Sequence, residues 1–384
     1  MQVTGDFENR SGEKSKTYRV IQVGAGSTGR FALRSILTHP GLDLVGLAVR
    51  SEHNSGRDAG AFCNLPPTTV RATRDTDSLL AMRADCVSFM PADDYAGDVL
   101  DGGSEAARAF DLLCRFLASG KNVIASSPNS LVYAPALGDV VVTRLEEACA
   151  AGDSSFLYVG VSPGFMPDRL VLNLTAVSAR IESIAVKEFM NYSEYENPNM
   201  LLDYYGFGKD PNVFDPTQLL LSFHRSLGGS VAMIADGLGV ELEAVAMHID
   251  LATTERPLEI PVGTIHKGTI GGSWITASGM VKGKPCISVA HVTRIGNDVA
   301  PAWPRFRDGS GEGYQIDIVG APAMSVDVEL GAFGRNPMAD AGWAVGGHIA
   351  NSVAALCQAP SGIRTFIDLP AATGRHRMIA AEQP

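Results

Sequence analysis

The stretch Arg19-Val20-Ile21-Gln22-Val23-Gly24-Ala25-Gly26-Ser27-Thr28-Gly29 decides the fold of this 384-residue chain. A short β-rich run leads into the pattern G-x-G-x-x-G, and a helical pattern follows over residues 30–38. Between a strand and a helix this pattern is a dinucleotide fingerprint. Gly24 would make the tight turn, Gly26 would let the backbone approach a pyrophosphate, and Gly29 would allow close helix–strand packing. The sequence therefore predicts a Rossmann-type α/β domain.

Strand-like and helical segments alternate through the first half of the chain. A second apolar strand lies over residues 44–49, and further strands and helices take turns up to Val161. Such alternation is typical of parallel βαβ units in which helices cover both faces of the sheet. We therefore predict a dinucleotide-binding Rossmann domain over residues 17–165, preceded by a flexible polar extension over residues 1–16.

The pattern changes after Phe165. A linking helix, a strand, a polar aromatic loop and a long helix come first. From Ala244 onward period-two alternation prevails, as in residues 324–330, which indicates a sheet with one covered face. The predicted fold class is therefore α/β, with an N-terminal Rossmann domain and an α+β catalytic domain over residues 166–335 whose sheet is mainly antiparallel. A final segment over residues 336–384 contains an apolar helix.

Composition narrows the classes of function. The chain has 42 acidic and 31 basic residues and a net charge of −11, which argues against a nucleic-acid partner. No apolar stretch is long enough for a membrane-spanning helix, and the polar N-terminus does not resemble a signal peptide. The six cysteines form no C-x-x-C pair and the eight histidines show no ligand spacing. We expect a cytoplasmic protein with reduced thiols, no metal site and no membrane partner.

The end of the second strand bears on the choice of cofactor. NAD-binding sites usually place a carboxylate there to hold the ribose 2′-hydroxyl. This chain has Arg50 followed by Ser51, a pair that suits a 2′-phosphate. We therefore predict NADP(H) in preference to NAD(H), although Arg50 as an ordinary surface residue is the alternative. The complete predicted cofactor set is Gly24, Gly26, Ser27, Thr28, Gly29, Arg30, Arg50, Ser51, Met90, Pro91, Ser126 and Ser127.

A second motif, Gly160-Val161-Ser162-Pro163-Gly164, matches the G-x-S-x-G nucleophile elbow of α/β-hydrolases. That site needs the backbone N–H of the residue after the serine for its oxyanion hole. Pro163 has no N–H, so the motif does not indicate a serine hydrolase.

Three further motifs accompany the fingerprint: Lys121-Asn122-Val123-Ile124, Gly160 to Phe165, and Ser361-Gly362-Ile363. Together they resemble dihydrodipicolinate-reductase-like oxidoreductases, and among them the 2,4-diaminopentanoate dehydrogenases and native NAD(P)-dependent amine dehydrogenases. The resemblance implies a Rossmann domain, a catalytic α+β domain and a C-terminal helix that returns to the first domain. It also implies hydride transfer between a nicotinamide and a C=N carbon, usually in a homodimer or higher homo-oligomer.

The chain departs from the family at two places. Dihydrodipicolinate reductases carry a paired-histidine motif where this chain has residues 188–195, which contain no histidine. The amine dehydrogenases carry a glutamate just after the N-V-I strand, where this chain has Ser126-Ser127-Pro128-Asn129-Ser130. The missing carboxylate favours reduction of a preformed imine, or of a carbonyl, over amine formation from a ketone and ammonia.

Candidate catalytic residues lie in the polar aromatic loop that follows the first strand of the second domain. Its tyrosines could donate a proton and its carboxylates could hold a cationic iminium, although a solvated loop is the alternative. Ligands of open α/β sheets lie beyond the carboxyl ends of the strands, which adds further candidates. The predicted catalytic residues are Tyr192, Glu194 and Asn129. The predicted substrate contacts are Ser162, Phe165, Tyr204, Tyr205 and His224, the last of which has an ordinary helix histidine as its alternative.

The leading hypothesis is an NADP(H)-dependent oxidoreductase that transfers hydride to or from a C=N bond of a small hydrophobic substrate. Two alternatives stay open: an NADPH-dependent carbonyl reductase, and a non-catalytic redox sensor that binds NADP(H).

Overall fold

The structure is a computed structural model that describes residues 16–92, 97–307 and 312–378. The predicted flexible extension lies outside these residues apart from Lys16. The strands are β1 (Tyr18–Val23), β2 (Leu42–Ala48), β3 (Ala72–Thr73), β4 (Cys86–Phe89), β5 (Asn122–Ala125), β6 (Ser155–Tyr158), β7 (Arg180–Asn191), β8 (Ala244–Thr253), β9 (Leu258–Ile260), β10 (Gly263–Ile265), β11 (Ile270–Val281), β12 (Lys284–Arg294), β13 (Gly313–Ala321), β14 (Met324–Glu329) and β15 (Gly362–Arg364). The α-helices are α1 (Gly29–Leu37), α2 (Thr76–Ala81), α3 (Glu105–Ala118), α4 (Asp139–Gly152), α5 (Arg169–Thr175), α6 (Thr217–Gly237) and α7 (Pro337–Leu356).

The first sheet has seven parallel strands in the order β15-β6-β5-β4-β1-β2-β3. Its strands are apolar throughout because helices cover both faces. Leu33 of α1 and Ile349 of α7 belong to the core on one face. Phe110 of α3 and Leu145 of α4 belong to the core on the other. The predicted Rossmann-type parallel sheet is thereby confirmed.

Helix α7 packs closely against α1. A Cβ atom at Gly346 would stand 2.6 Å from the carbonyl carbon of Phe31, so only glycine lets the two helices approach this far. After α7 the chain adds β15 to the edge of the parallel sheet beside β6. The C-terminal segment thus contributes both a helix and a strand to the dinucleotide-binding half.

The second sheet corrects the sequence-based expectation. Its order is β14-β13-β7-β12-β11-β8, and α6 contributes Val231 and Ile234 to the core on one face. The sheet is mixed rather than mainly antiparallel, because β7 and β12 pair in parallel near its centre. Period-two alternation shows that a strand is covered on one face, but it contains no information about the direction of the strand beside it. In the described ranges, no helix has the length and hydropathy needed to cross a membrane.

His348 joins α7 to the segment that links the two halves. Its Nδ1 atom lies 2.8 Å from the Gly160 carbonyl oxygen, and its Nε2 atom lies 3.2 Å from Nη1 of Arg169. A carbonyl can only accept and a guanidinium can only donate, so the ring is neutral with its proton on Nδ1. Burial, together with the charge of Arg169, lowers the pKa of His348 from 6.5 to about 4 despite the hydrogen bond to Gly160.

This arrangement predicts a pH-dependent contribution to stability. The folded pKa of His348 lies below its unfolded value, so the contribution is present above pH 6.5 and is lost as the pH falls toward 4. Urea unfolding at several pH values should show that wild type loses up to roughly 3 kcal/mol more than His348→Asn across this range. Parallel pH curves for the two proteins would contradict the assignment.

Candidate active site

A cleft of about 540 Å³ lies between the carboxyl edge of the parallel sheet and the second sheet. The fingerprint loop and the segments after β2, β4, β5 and β6 form one wall. Residues of β7 and β13 form the opposite wall, and the first turns of α7 close one side. Ligands of open α/β sheets bind beyond the carboxyl ends of the strands, which is where this cleft lies.

Eleven of the twelve predicted cofactor residues line the cleft. They are Gly24, Gly26, Ser27, Thr28, Gly29, Arg50, Ser51, Met90, Pro91, Ser126 and Ser127. Arg30 is the exception: its guanidinium lies over the Phe31 ring, 5.1 Å from the centroid, instead of facing the cleft. As the second residue of α1 it has turned away from the loop that precedes the helix.

The glycine loop fits a dinucleotide. Gly24 has a φ of +88°, and a Cβ atom there would stand 2.0 Å from the Met90 carbonyl oxygen. A Cβ atom at Gly29 would stand 2.6 Å from the Gly24 carbonyl oxygen, so both positions need glycine for packing. A Cβ atom at Gly26 would meet no described atom within 4 Å and would occupy only the open space in front of the loop. That open space is where a pyrophosphate approaches the backbone in this motif.

Arg50 and Ser51 line the cleft where the chain leaves β2. The Arg50 side chain is 74% exposed, and its Nη1 atom lies 2.6 Å from Oε1 of Glu105 in α3. An exposed ion pair of this kind contributes little energy, so it does not prevent the guanidinium from binding a stronger anion. The carboxylates in the described lining, Glu188 and Glu312, both come from the second sheet's side of the cleft.

Glu188 of β7 places a partnered carboxylate in the cleft. Its Oε2 atom accepts a hydrogen bond from Ser162 Oγ at 2.8 Å and lies 2.9 Å from His291 Nδ1. Its Oε1 atom accepts from the Tyr314 hydroxyl at 2.6 Å. Burial alone would raise the pKa of Glu188, but the charge and hydrogen bond of His291, with the hydrogen bonds from Tyr314 and Ser162, hold it below its ordinary value.

Strand register brings these partners together. His291 of β12 and Tyr314 of β13 each stand directly opposite Glu188 in the neighbouring strands. Side chains opposite one another in a sheet share a face and lie within contact distance. Ser162 reaches the same carboxylate from the segment after β6, so Glu188 connects the two halves of the cleft.

The predicted tyrosines lie behind this carboxylate rather than in the cleft. Tyr192 and Tyr205 are buried, with ring centroids 5.5 Å apart. The Tyr205 hydroxyl lies 3.0 Å from His291 Nε2. Burial raises the pKa of both phenols well above the ordinary value. The aromatic rings of the loop pack into or against the apolar core of the second sheet.

Of the remaining predicted site residues, two line the cleft and four do not. Ser162 and Asn129 line the cleft, and Asn129 Oδ1 accepts from the Tyr158 hydroxyl at 2.9 Å. Three others do not line it: Tyr204 donates to Ser222 Oγ, Phe165 packs on the His348 ring, and His224 is exposed on α6. Glu194 is also exposed and outside the lining. Tyr192 and Glu194, which the sequence-based prediction placed at the substrate, thus both lie outside the lining of the cleft.

Four side chains that the sequence-based prediction did not select belong to this site: Glu188, His291, Tyr314 and Glu312. The sequence feature that could have identified three of them is a polar residue in the middle of an otherwise apolar strand face. Glu188 continues the buried alternation of Ile184 and Val186, and His291 and Tyr314 stand in the same position relative to buried residues of their own strands. A charged group on a buried face must have partners, which marks it as structurally or functionally special.

Glu312 is the second carboxylate of the cleft. Its Oε2 atom is shielded from solvent and has no hydrogen-bond partner among the described residues. Burial raises the pKa of Glu312 to about 7, although the backbone N–H of Asn191 partly opposes the shift. The cleft therefore contains one carboxyl group whose pKa is held below its ordinary value and one whose pKa is raised to about 7.

Comparison with known proteins bears on the whole chain. Residues 165–381 match the family described as the 2,4-diaminopentanoate dehydrogenase C-terminal domain. An amine dehydrogenase of Streptomyces virginiae is 30% identical over 358 residues, which cover 90% of this chain and 94% of that protein. The 2,4-diaminopentanoate dehydrogenase of Acetoanaerobium sticklandii is 23% identical, with 92% of this chain and 93% of that protein covered.

A solved structure shows the same fold. The amine dehydrogenase from Mycobacterium smegmatis superposes with a TM-score of 0.70 at 16% identity, covering 93% of this chain and 97% of that one. The family resemblance inferred from the sequence motifs is confirmed by these matches. The chain therefore belongs to the family of 2,4-diaminopentanoate dehydrogenases and amine dehydrogenases, and it is an NAD(P)-dependent oxidoreductase.

Proposed function

We propose that this enzyme uses NADP(H) to interconvert an amine and the corresponding imine on a small substrate, with Glu188 holding the positively charged nitrogen. The observation that carries the proposal is a largely buried carboxylate, with its pKa held below the ordinary value, that lines the same cleft as the dinucleotide loop. A bound nicotinamide supplies or accepts the hydride. The residues of the chain bind the substrate, orient it and stabilise its charge.

The donors around Glu188 favour a cationic substrate over a neutral carbonyl. Ser162 and Tyr314 both give their hydroxyl protons to the carboxylate. Their oxygen lone pairs and the carboxylate oxygens therefore face the substrate as acceptors, which suits an ammonium or iminium N–H. A carbonyl oxygen that gains negative charge during reduction would be repelled by Glu188.

Glu188 provides a carboxylate in the cleft although the segment 126–130 has none. That segment lacks the glutamate expected after the N-V-I strand, but the cleft has a carboxylate from its opposite wall. An enzyme that forms amines from ketones and ammonia is therefore compatible with this chain, as is an enzyme that reduces preformed imines.

Arg50 and Ser51 support the choice of NADP(H). They follow β2, where a 2′-phosphate would lie, and the described lining has no carboxylate at this end of the cleft to hold a free 2′-hydroxyl. Asn54 adds a polar side chain to the same region.

The reaction can be tested with a small panel followed by NADPH absorbance. Cyclic imines, ketones with ammonia, and ketones alone are offered in turn to the purified enzyme. We expect NADPH oxidation with imines or with ketones plus ammonia, and none with ketones alone. Oxidation by ketones without ammonia would favour a carbonyl reductase, and NADPH binding without oxidation in every case would favour a sensor.

The role of Glu188 predicts a specific loss. Glu188→Gln keeps the shape but removes the charge, so kcat/KM for the amine or imine should fall by about 100-fold, as for loss of one preorganised electrostatic contact. Fluorescence titration should show unchanged NADPH binding, because Glu188 lies on the wall opposite the glycine loop. Glu196→Gln, at an exposed position outside the cleft, is the control and should behave as wild type. Full activity of Glu188→Gln would remove the assignment.

The cofactor preference predicts an asymmetric effect of Arg50→Ala. Loss of a charge-assisted contact to the 2′-phosphate should weaken NADPH binding by about 10-fold or more while leaving NADH binding unchanged. Dissociation constants of both cofactors are measured for the variant and for Arg108→Ala, which removes an exposed arginine outside the cleft. Equal changes for NADPH and NADH in Arg50→Ala would contradict the preference.

A further inference from the structure

The two carboxylates of the cleft come from β7 and from the residue just before β13, the strand that pairs with β7. Tyr314 is opposite Glu188, and Gly313 is opposite Phe189, where β13 pairs with β7. Glu312 precedes Gly313 and is two residues before Tyr314, so it follows the same face of the sheet toward the cleft. Both glutamates line the cleft on the wall that faces the dinucleotide loop.

Their surroundings differ in the number of partners. Glu188 has Ser162, His291 and Tyr314 as hydrogen-bond partners. The Oε2 atom of Glu312 is shielded and has no partner within the described ranges. An unpartnered buried oxygen is costly for a carboxylate and far less so for a protonated carboxyl group.

The groups that face Glu312 do not neutralise it. Glu188 of β7 is an anion in the same cleft and is paired with His291 of β12, and Tyr314 of β13 already donates to it. Tyr192, whose pKa is raised by burial and also by the charges of Glu188 and Glu312, lies behind them as a neutral phenol. Arg50, the basic side chain of the described lining, is at the cofactor end, and the Asn191 N–H is the donor that favours the Glu312 carboxylate.

We propose that Glu312 is the acid–base catalyst that removes water from the carbinolamine formed by a ketone and ammonia, and that in the reverse direction accepts the proton of the water that attacks the iminium carbon. This step rests on the proposed function. The Glu312 carboxyl gives its proton to the carbinolamine hydroxyl, the C–O bond breaks, and its electron pair leaves with the oxygen as water. The nitrogen lone pair forms the C=N bond, so the products are an iminium cation, water and the Glu312 carboxylate.

Glu188 and Glu312 have different roles in this proposal because their surroundings differ. Glu188 stays ionised and stabilises the iminium charge as it develops. Glu312 exchanges its proton near neutral pH, since burial brings its pKa to about 7. Two carboxyl groups whose surroundings separate their pKa values are a common basis for assigning such roles.

The variant Glu312→Gln separates dehydration from hydride transfer. A preformed cyclic imine needs no loss of water, so its reduction should fall much less than amine formation from a ketone, even though Glu312 lines the cleft. Amine formation from a ketone and ammonia should fall by about 100-fold or more, the usual contribution of a general acid. In wild type the rate of the ketone reaction should decrease as the pH rises through about 7, because the acid form is lost, and this limb should be absent in Glu312→Gln.

Two further variants and a spectroscopic measurement test whether the loss is specific to the carboxyl group of Glu312. Glu312→Asp should restore part of the ketone reaction, whereas Glu196→Gln should match wild type in both reactions. NADPH binding shows that each variant is folded. Difference infrared spectra of wild type minus Glu312→Gln should contain a carboxylic-acid band that titrates near pH 7, and this readout does not depend on turnover.

The outcomes distinguish this inference from the proposed function. Equal losses in the imine and ketone reactions of Glu312→Gln, or no loss in the ketone reaction, would overturn the role of Glu312. A wild-type enzyme that reduces cyclic imines but forms no amine from ketones would also overturn it and would leave the proposed function standing. A wild-type enzyme inactive toward every imine and amine would refute the proposed function, and the infrared titration alone would then decide whether Glu312 exchanges a proton near neutral pH.

Discussion

Burial of the Glu188 carboxylate is the constraint on which the rest of the site depends. A largely buried anion needs donors on every side, and here they come from three other parts of the chain: the segment after β6, strand β12 and strand β13. Each donor fixes the position of its element relative to β7. The contact with Ser162 is the one that crosses the cleft, so the electrostatic need of one carboxylate helps to set the spacing between the two sheets.

The aromatic cluster behind the cleft has its place in the same arrangement. His291 uses one ring nitrogen for Glu188 and the other for the Tyr205 hydroxyl. The second contact restrains the rotation of the imidazole, so that Nδ1 is the nitrogen that faces the carboxylate. Tyr205 and Tyr192 lie beside His291 and outside the lining of the cleft. Their burial in the core of the second sheet makes the orientation of the imidazole rigid.

The parts of the site that follow from local sequence were predictable. The glycine loop, the strand before it and the helix after it are one continuous segment, and Arg50 follows the next strand. The opposite wall was not predictable in this way. His291 and Tyr314 are 103 and 126 residues away from Glu188 in sequence, and only strand register brings them to it. A period-two pattern shows which face of each strand is buried, but it does not show which strands are neighbours or in which direction they run.

The cleft carboxylate of Glu188 comes from the wall opposite to the segment after β5, where the family pattern places a glutamate. Judged by the segment after β5, the chain lacks a group that could bind a cationic nitrogen, because Ser126 and Ser127 stand there. A cleft between two sheets has two walls, however, and a substrate nitrogen between them can be reached from either one. In the function proposed above, Glu188 of β7 provides the charge, while Ser127 on the first wall donates to the Pro91 carbonyl instead. The chemical requirement is a negative charge at one point in space, and different strands of the same fold can meet it.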